Sequence, residues 1–313
     1  MVKKCIAVLA ITAVSLDAAH AQRYDTVSKF TTPILLDSVV IRSGFDVNAF
    51  VRRVKNDTTF YKAFRSLLLI PYTATNTFVA YDKQGNTEAT LHTIVKQDIP
   101  SKACRINHTL QQQQTGDFIA RDGSYNYFTA DLFKNAFFTD KEVCNQTDII
   151  GDEGITRAKG GRLEKNKYEL KQLIFDPGSK VQGVPLMGDK ASVFDKDQVY
   201  KYNFRIVQDT LNGIECLVFY ISPKPEYAND VVFNQLNTWF RKKDFSILAR
   251  DYSLSFHTLI YTFDVQMKVR TIERSGKLYP ASIDYNGTWH VVMKKREHLK
   301  VHMDIALNTD TAK

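Results

Sequence analysis

The residues that could do chemistry in this 313-residue chain are few and scattered. His298 and His302 stand four apart, and with His290 or Asp304 they would share a metal ion if they lay on one helix face. The apolar and polar residues around them alternate as in a strand, which separates the two by about 13 Å and leaves both on a polar face beside Lys300. They are expected as surface histidines, and no metal-ligand set is assigned. His92, His108 and His257 are solitary, and nothing marks any of them as a general base. Gly151, Gly154, Gly160 and Gly161, with Arg157, Lys159 and Arg162, could cradle a phosphate ahead of a helix at Glu164, but their spacing matches no phosphate loop and a connecting loop is the expectation. The acidic pairs Asp152/Glu153 and Asp195/Asp197 are expected at the surface. No Gly-x-Ser-x-Gly elbow, His-Glu-x-x-His pair or nucleotide-binding glycine loop occurs, which counts against the common hydrolase and nucleotide classes. The enzyme question stays open but leans to no, and neither catalytic residue nor cofactor is assigned.

More informative are three stretches in which apolar and polar residues alternate almost without error. Tyr261, Phe263, Val265, Met267 and Val269 interleave with Thr262, Asp264, Gln266, Lys268 and Arg270. Tyr279, Ala281, Ile283, Tyr285, Trp289, Val291 and Met293 repeat the pattern, as do Leu299, Val301, Met303 and Ile305. Each is a strand with one dry face, and strands of this kind in succession make a broad antiparallel sheet. Aromatic and adaptable methionine side chains on such a face suit a site for apolar ligands. The candidate ligand-binding residues are Tyr261, Phe263, Val265, Met267, Tyr285, Trp289 and Met303, with packing beneath helices as the competing reading.

The elements that must position these residues can be placed from period and punctuation. A short strand at Ile34–Ile41 precedes two amphipathic helices between Asp46 and Leu68, the second opened by Asp57 or Thr58. Strands return from Tyr72 to Val95 around a turn at Asp82–Asn86, and 102–121 is expected to add two more, separated by a polar loop at Gln111–Gln114. From Tyr127 to Tyr200 the chain leaves the sheet: a short helix runs from Thr129 through Phe137, a mobile glycine-rich loop covers Asp148–Arg162, and a second helix spans Glu164–Phe175 before Asp176-Pro177-Gly178. About six strands then follow in meander order to Leu307, and Gly287 is the natural bend of the long one.

Composition bounds the setting. Met1-Val2-Lys3-Lys4, an apolar run from Cys5 to Leu16, and Ala19-His20-Ala21 read as a signal peptide over 1–21, removed on export. Residues 22–313 are then expected as a single α+β domain, soluble in the periplasm or outside the cell. The formal charge of +8 suits an anionic surface or the outer membrane better than nucleic acid, because the basic residues are spread and form no stripe. Cys104 and Cys144 could pair in an oxidising compartment, and Cys216 is expected as a buried free thiol.

In arrangement, an exported chain whose N-terminal helices lead into a large curved antiparallel sheet with helices on its concave side resembles the LolA/LolB-like half-barrel: the periplasmic lipoprotein carrier and outer-membrane receptor of the Lol system. Segments such as Phe45–Leu67 and Tyr261–Trp289 are also similar in texture to uncharacterised secreted proteins of Bacteroides-type bacteria. The resemblance implies an α+β fold with a half-barrel of about ten strands and several helices against its concave face. It further implies a non-catalytic envelope protein that binds or transfers a lipophilic ligand, an acyl chain of a lipid or lipoprotein. The excursion from Tyr127 to Tyr200 departs from the pattern. The alternative is a structural or interaction module of the envelope without a ligand cavity.

Overall fold

In a computed structural model, residues 36–39, 47–149, 175–178, 190–259, 261–291 and 295–308 are described. The signal-like segment, Gly151–Arg162 with Asp152 and Glu153, and all but the last residue of the Glu164–Phe175 helix lie outside them. Eleven strands form one sheet: β1 (Leu36–Val39), β2 (Tyr72–Tyr81), β3 (Thr87–Asp98), β4 (Ile106–Thr115), β5 (Tyr202–Leu211), β6 (Ile214–Pro223), β7 (Phe233–Arg241), β8 (Ile247–His257), β9 (Tyr261–Arg274), β10 (Lys277–Val291) and β11 (Glu297–Leu307). Their order is β1-β5-β6-β7-β8-β9-β10-β11-β2-β3-β4. Strands β2–β11 pair antiparallel, and β1 lies parallel to β5 at one edge. The last strand thus sits between β10 and β2, joining the two ends of the chain at the middle of an open curved sheet.

The meander from Tyr202 contains seven strands, β5–β11, one more than the six or so expected. Two other expectations need correction. Gln111–Gln114 is not a loop between two strands: all four residues extend within β4 and pair with Leu91–Ile94 of β3. Both faces of this edge strand are wet, so no apolar alternation marks it as a strand. The helices are also fewer than the several expected, and the fold is mostly β. Among the described residues they are α1 (Val47–Lys55), α2 (Thr59–Leu67) and α3 (Phe128–Phe137).

All three helices serve the dry face. Phe50, Val51 and Val54 of α1 are buried at helical spacing, and Arg52, Arg53 and Lys55 in its last turn complement the helix dipole. The Asp57 carboxylate accepts the Thr59 N–H at 2.9 Å and opens α2, which buries Phe60, Phe64 and Leu67. The Phe50 ring meets Phe219 and Phe240 of the sheet edge-on, at 5.6 and 5.3 Å.

Two polar devices hold α3. Its first free N–H groups, from Phe128 and Thr129, donate to the Glu297 carboxylate at 2.6 and 3.0 Å, so a strand residue caps the helix. At its other end the Phe137 carbonyl accepts from Arg105 Nη1 at 2.8 Å and from the Tyr72 hydroxyl at 3.1 Å. Burial pushes the Tyr72 phenol up to about 12, so it remains a donor at every physiological pH. Gln97 completes this network by donating to the Leu67 and Ile70 carbonyls at the end of α2, and its side-chain oxygen accepts from Arg105.

A disulfide joins Cys104 to Cys144, and Cys216 is a buried free thiol. The bond fastens the segment after α3 to the start of β4, where Arg105 and Val143 exchange backbone hydrogen bonds of 2.9 Å.

Candidate functional site

The alternation that marks β9, β10 and β11 places six of the seven candidate residues together on the dry face; the side chain of Tyr261, at the start of β9, lies outside the described residues. Register sets them in rows across the sheet. Phe256, Phe263 and Trp289 form one row, and Tyr252, Met267, Tyr285, Val301 and Phe78 another. Val265 and Leu299 flank Gly287 in the row between, and Met303 lies opposite Ile283. Phe263, Val265, Met267, Tyr285, Trp289 and Met303 are all buried.

Their cover is aromatic. Phe133 of α3 meets the Tyr285 ring edge-on at 5.4 Å, Phe128 meets Trp289 at 5.9 Å, and Phe263 lies 4.7 Å from Trp289. Two polar atoms in this apolar floor satisfy each other: Trp289 Nε1 donates to the Tyr285 hydroxyl at 2.6 Å. Burial drives the Tyr285 phenol far above its ordinary range, so it stays neutral. In the same row as Tyr285, the Tyr252 hydroxyl donates to Met267 Sδ at 3.1 Å.

β10 pairs in regular register across Gly287, and its irregularity lies between Pro280 and Ser282; what Gly287 provides is room for a ring. The Tyr285 ring lies back along β10 over it, and a Cβ added there would fall 1.9 Å from the Tyr285 hydroxyl oxygen and 2.3 Å from Cζ. Glycine is what lets the ring lie flat and its hydroxyl reach Trp289. A Gly287→Ala substitution is therefore expected to cost about 2–3 kcal/mol through overpacking. It should also shift the Trp289 emission as the Nε1 bond is lost; unchanged stability and emission would contradict this packing.

Sequence reasoning missed a second feature of the same face. Arg250 interrupts the apolar run Ile247–Ala249, and its side chain turns inward. It stacks 4.3 Å over the Phe60 ring and donates from Nε to Thr238 Oγ1 at 3.1 Å. Burial lowers its pKa, which the carboxylates of Asp57 and Asp176 partly restore. Arg250, Thr238, Asp57 and Asp176, together with Lys55 and Asp195, line a cavity of about 180 Å³ between the α1–α2 corner and the sheet. Asp195 and Asp197 are exposed, as expected, and Asp195 stands at the edge of this cavity. The only signal in the sequence was one arginine at an inward-facing position.

The histidines lie on the other, polar face, as their alternation required. His302 Nδ1 is 2.7 Å from Asp284 Oδ1 and its Nε2 is 2.9 Å from Asp304 Oδ2, while His298 Nε2 is 2.9 Å from Asn286 Oδ1. The two rings thus have separate partners. The bond to Asp284 raises the pKa of His302 above its ordinary value of 6.5; burial opposes it, and the bond to Asp304 adds to the rise. A group protonated more readily in the folded state stabilises the fold fully below the unfolded pKa, and that contribution fades as pH rises through the folded one. The stability difference between wild type and His302→Gln is thus expected to be largest near pH 5 and to shrink toward pH 8, as read by urea denaturation across that range. A difference independent of pH would contradict the double bond to aspartate. The one metal-sized group among the described residues, Cys104, Glu142 and Cys144, has both sulfurs taken by the disulfide.

No family model and no curated protein matches the chain. Among solved structures it is similar to a DUF1329 family protein from Desulfovibrio piger, at 11% identity and a TM-score of 0.25, over 82% of this chain and 95% of that one. An outer membrane lipoprotein-sorting protein domain from Vibrio parahaemolyticus aligns at 12% identity and a TM-score of 0.25, over 85% and 92%. Lipovitellin, a structure describing lipid–protein interactions, aligns at 8% identity and a TM-score of 0.29, over 77% of this chain and 25% of its own. No residue assignment passes through alignments at these scores. No helix among the described residues is long and apolar enough to cross a membrane.

Proposed function

We propose that this chain is an exported, non-catalytic cell-envelope protein that shelters the acyl chain of a lipid or lipoprotein between the dry face of its sheet and α3. One observation supports this reading above the rest. Phe263, Val265, Met267, Tyr285, Trp289 and Met303 make a continuous apolar floor beneath a ten-residue helix that is held by polar contacts at its two ends. Phe128 and Phe133 lie on that floor where an acyl chain would lie, so the ligand enters as α3 lifts and replaces their rings. Each buried methylene contributes about 0.8 kcal/mol, so ten of them offset the loss of two or three aromatic contacts.

The filled state of the face favours a second reading, an interaction module whose polar face makes the contacts. Titration with a polyene fatty acid separates the two. On the acyl-chain reading, emission from Trp289 is quenched saturably and a Trp289→Phe variant, which retains Trp239, loses the quenching. Absence of saturable quenching would favour the interaction module.

A further inference from the structure

We propose that the cavity between the α1–α2 corner and the sheet binds a small zwitterion of the α-amino-acid class, at a site separate from the acyl floor. None of the residues that line this cavity of about 180 Å³ belongs to that floor. Apolar cavities of about 150 Å³ hold a molecule the size of benzene, so the space admits a short aliphatic amino acid.

Arg250 is only 6% exposed, yet most of its hydrogen-bonding capacity is unused. Its Nε donates to Thr238 Oγ1 and its guanidinium stacks on Phe60, but neither Nη atom donates to any of the described residues. Asp57 and Asp176 lie near enough to favour its charge, and among the described residues neither forms an ion pair with it. Arg250 thus lines the cavity with two outer nitrogens that lack protein acceptors. Such a fork is the group from which a carboxylate accepts two parallel hydrogen bonds.

Carboxylates on the same cavity supply the complement. Asp57 uses Oδ1 to accept from the Thr59 N–H and hydroxyl, and its Oδ2 accepts nothing from the described residues. The lining sets Arg250 and Lys55 against Asp57, Asp176 and Asp195, so it matches neither a simple anion nor a simple cation. A ligand that carries a carboxylate and an ammonium on one carbon answers both signs at once, with the carboxylate on Arg250 and the ammonium toward Asp57 and its neighbours. Beside them Val54, Ile221 and Leu236 are buried apolar walls for a short aliphatic side chain.

Calorimetric titration of the full chain with L-valine tests the proposal. The comparators are 3-methylbutanoate, which lacks the ammonium, and 2-methylpropylamine, which lacks the carboxylate. The expected result is saturable binding of valine, with each comparator weaker by about tenfold or more, as the loss of a charge-assisted contact in a largely buried site implies. Arg250→Gln should weaken valine binding by a similar factor, and Asp57→Asn, which keeps an oxygen to cap Thr59, should weaken it severalfold. Circular dichroism shows whether each variant is folded; if Arg250→Gln is not, Asp57→Asn and the two comparators decide the result. No saturable binding of valine, which would mean that the cavity holds only water, equal binding of either comparator, or unchanged binding by a folded variant would overturn it.

Discussion

Replacing Phe133 by alanine is expected to destabilise the fold by about 3–5 kcal/mol, the largest effect of any single substitution in the cover of the sheet. Phe133 is almost completely buried, and its ring touches residues of three elements: Tyr285 of β10 at 5.4 Å, Phe78 of β2 at 6.3 Å and Phe137 of its own helix at 5.9 Å. Truncation leaves a cavity that no neighbour can fill, because Tyr285 is fixed over Gly287 by its bond with Trp289. The polar anchors at the ends of α3 do not depend on Phe133, so the helix should stay in place with a void under it. Two results should follow together: a lower urea midpoint with the m-value unchanged, and increased uptake of a small apolar probe. A loss below 1 kcal/mol would mean that α3 does not rest on the sheet as described.

Removing the disulfide is expected to have an effect of similar size. The loop closed by Cys104 and Cys144 spans 40 residues in sequence, for which the loss of unfolded-state entropy amounts to about 4 kcal/mol. The bond lies beside Arg105, which donates to the Phe137 carbonyl, so its loss also loosens one anchor of α3. The Cys104→Ser/Cys144→Ser variant should therefore unfold at lower urea and protect the amides of α3 less from hydrogen exchange. Cys216 is buried on another part of the sheet and should be unaffected. Equal midpoints for the variant and the oxidised wild type would contradict this role.

How far the sequence carried these conclusions depends on what each residue's neighbours are. Strands β9, β10 and β11 were legible because one face of each is dry and the other wet, so period two appears directly in Phe263 to Val269 and Leu299 to Ile305. β4 was not, because at the edge of the sheet Gln112 and Gln114 are as wet as Gln111 and Gln113. Strand order was also out of reach. Nothing in β11 or β2 announces that Leu299 pairs with Ala80, a contact made across more than two hundred residues.

The candidate floor was read from spacing, but its cover was not. Whether Phe133 lies on Tyr285 or an open cleft separates them depends on how α3 is seated, and Glu297 and Arg105 decide that from distant strands. Arg250 shows the same limit. One charged residue in an inward-facing position is visible in sequence, while the Phe60 ring and the two carboxylates that make its burial tolerable come from elsewhere.

The central claim is that the dry face binds an acyl chain. Native mass spectrometry of the full chain, purified from its source cells without detergent and followed by organic extraction, tests it most directly. A mass excess that releases a lipid on extraction, and that falls when Met267 is enlarged or Trp289 is made polar, is the expected result. A bare polypeptide mass, with no lipid in the extract, would contradict it.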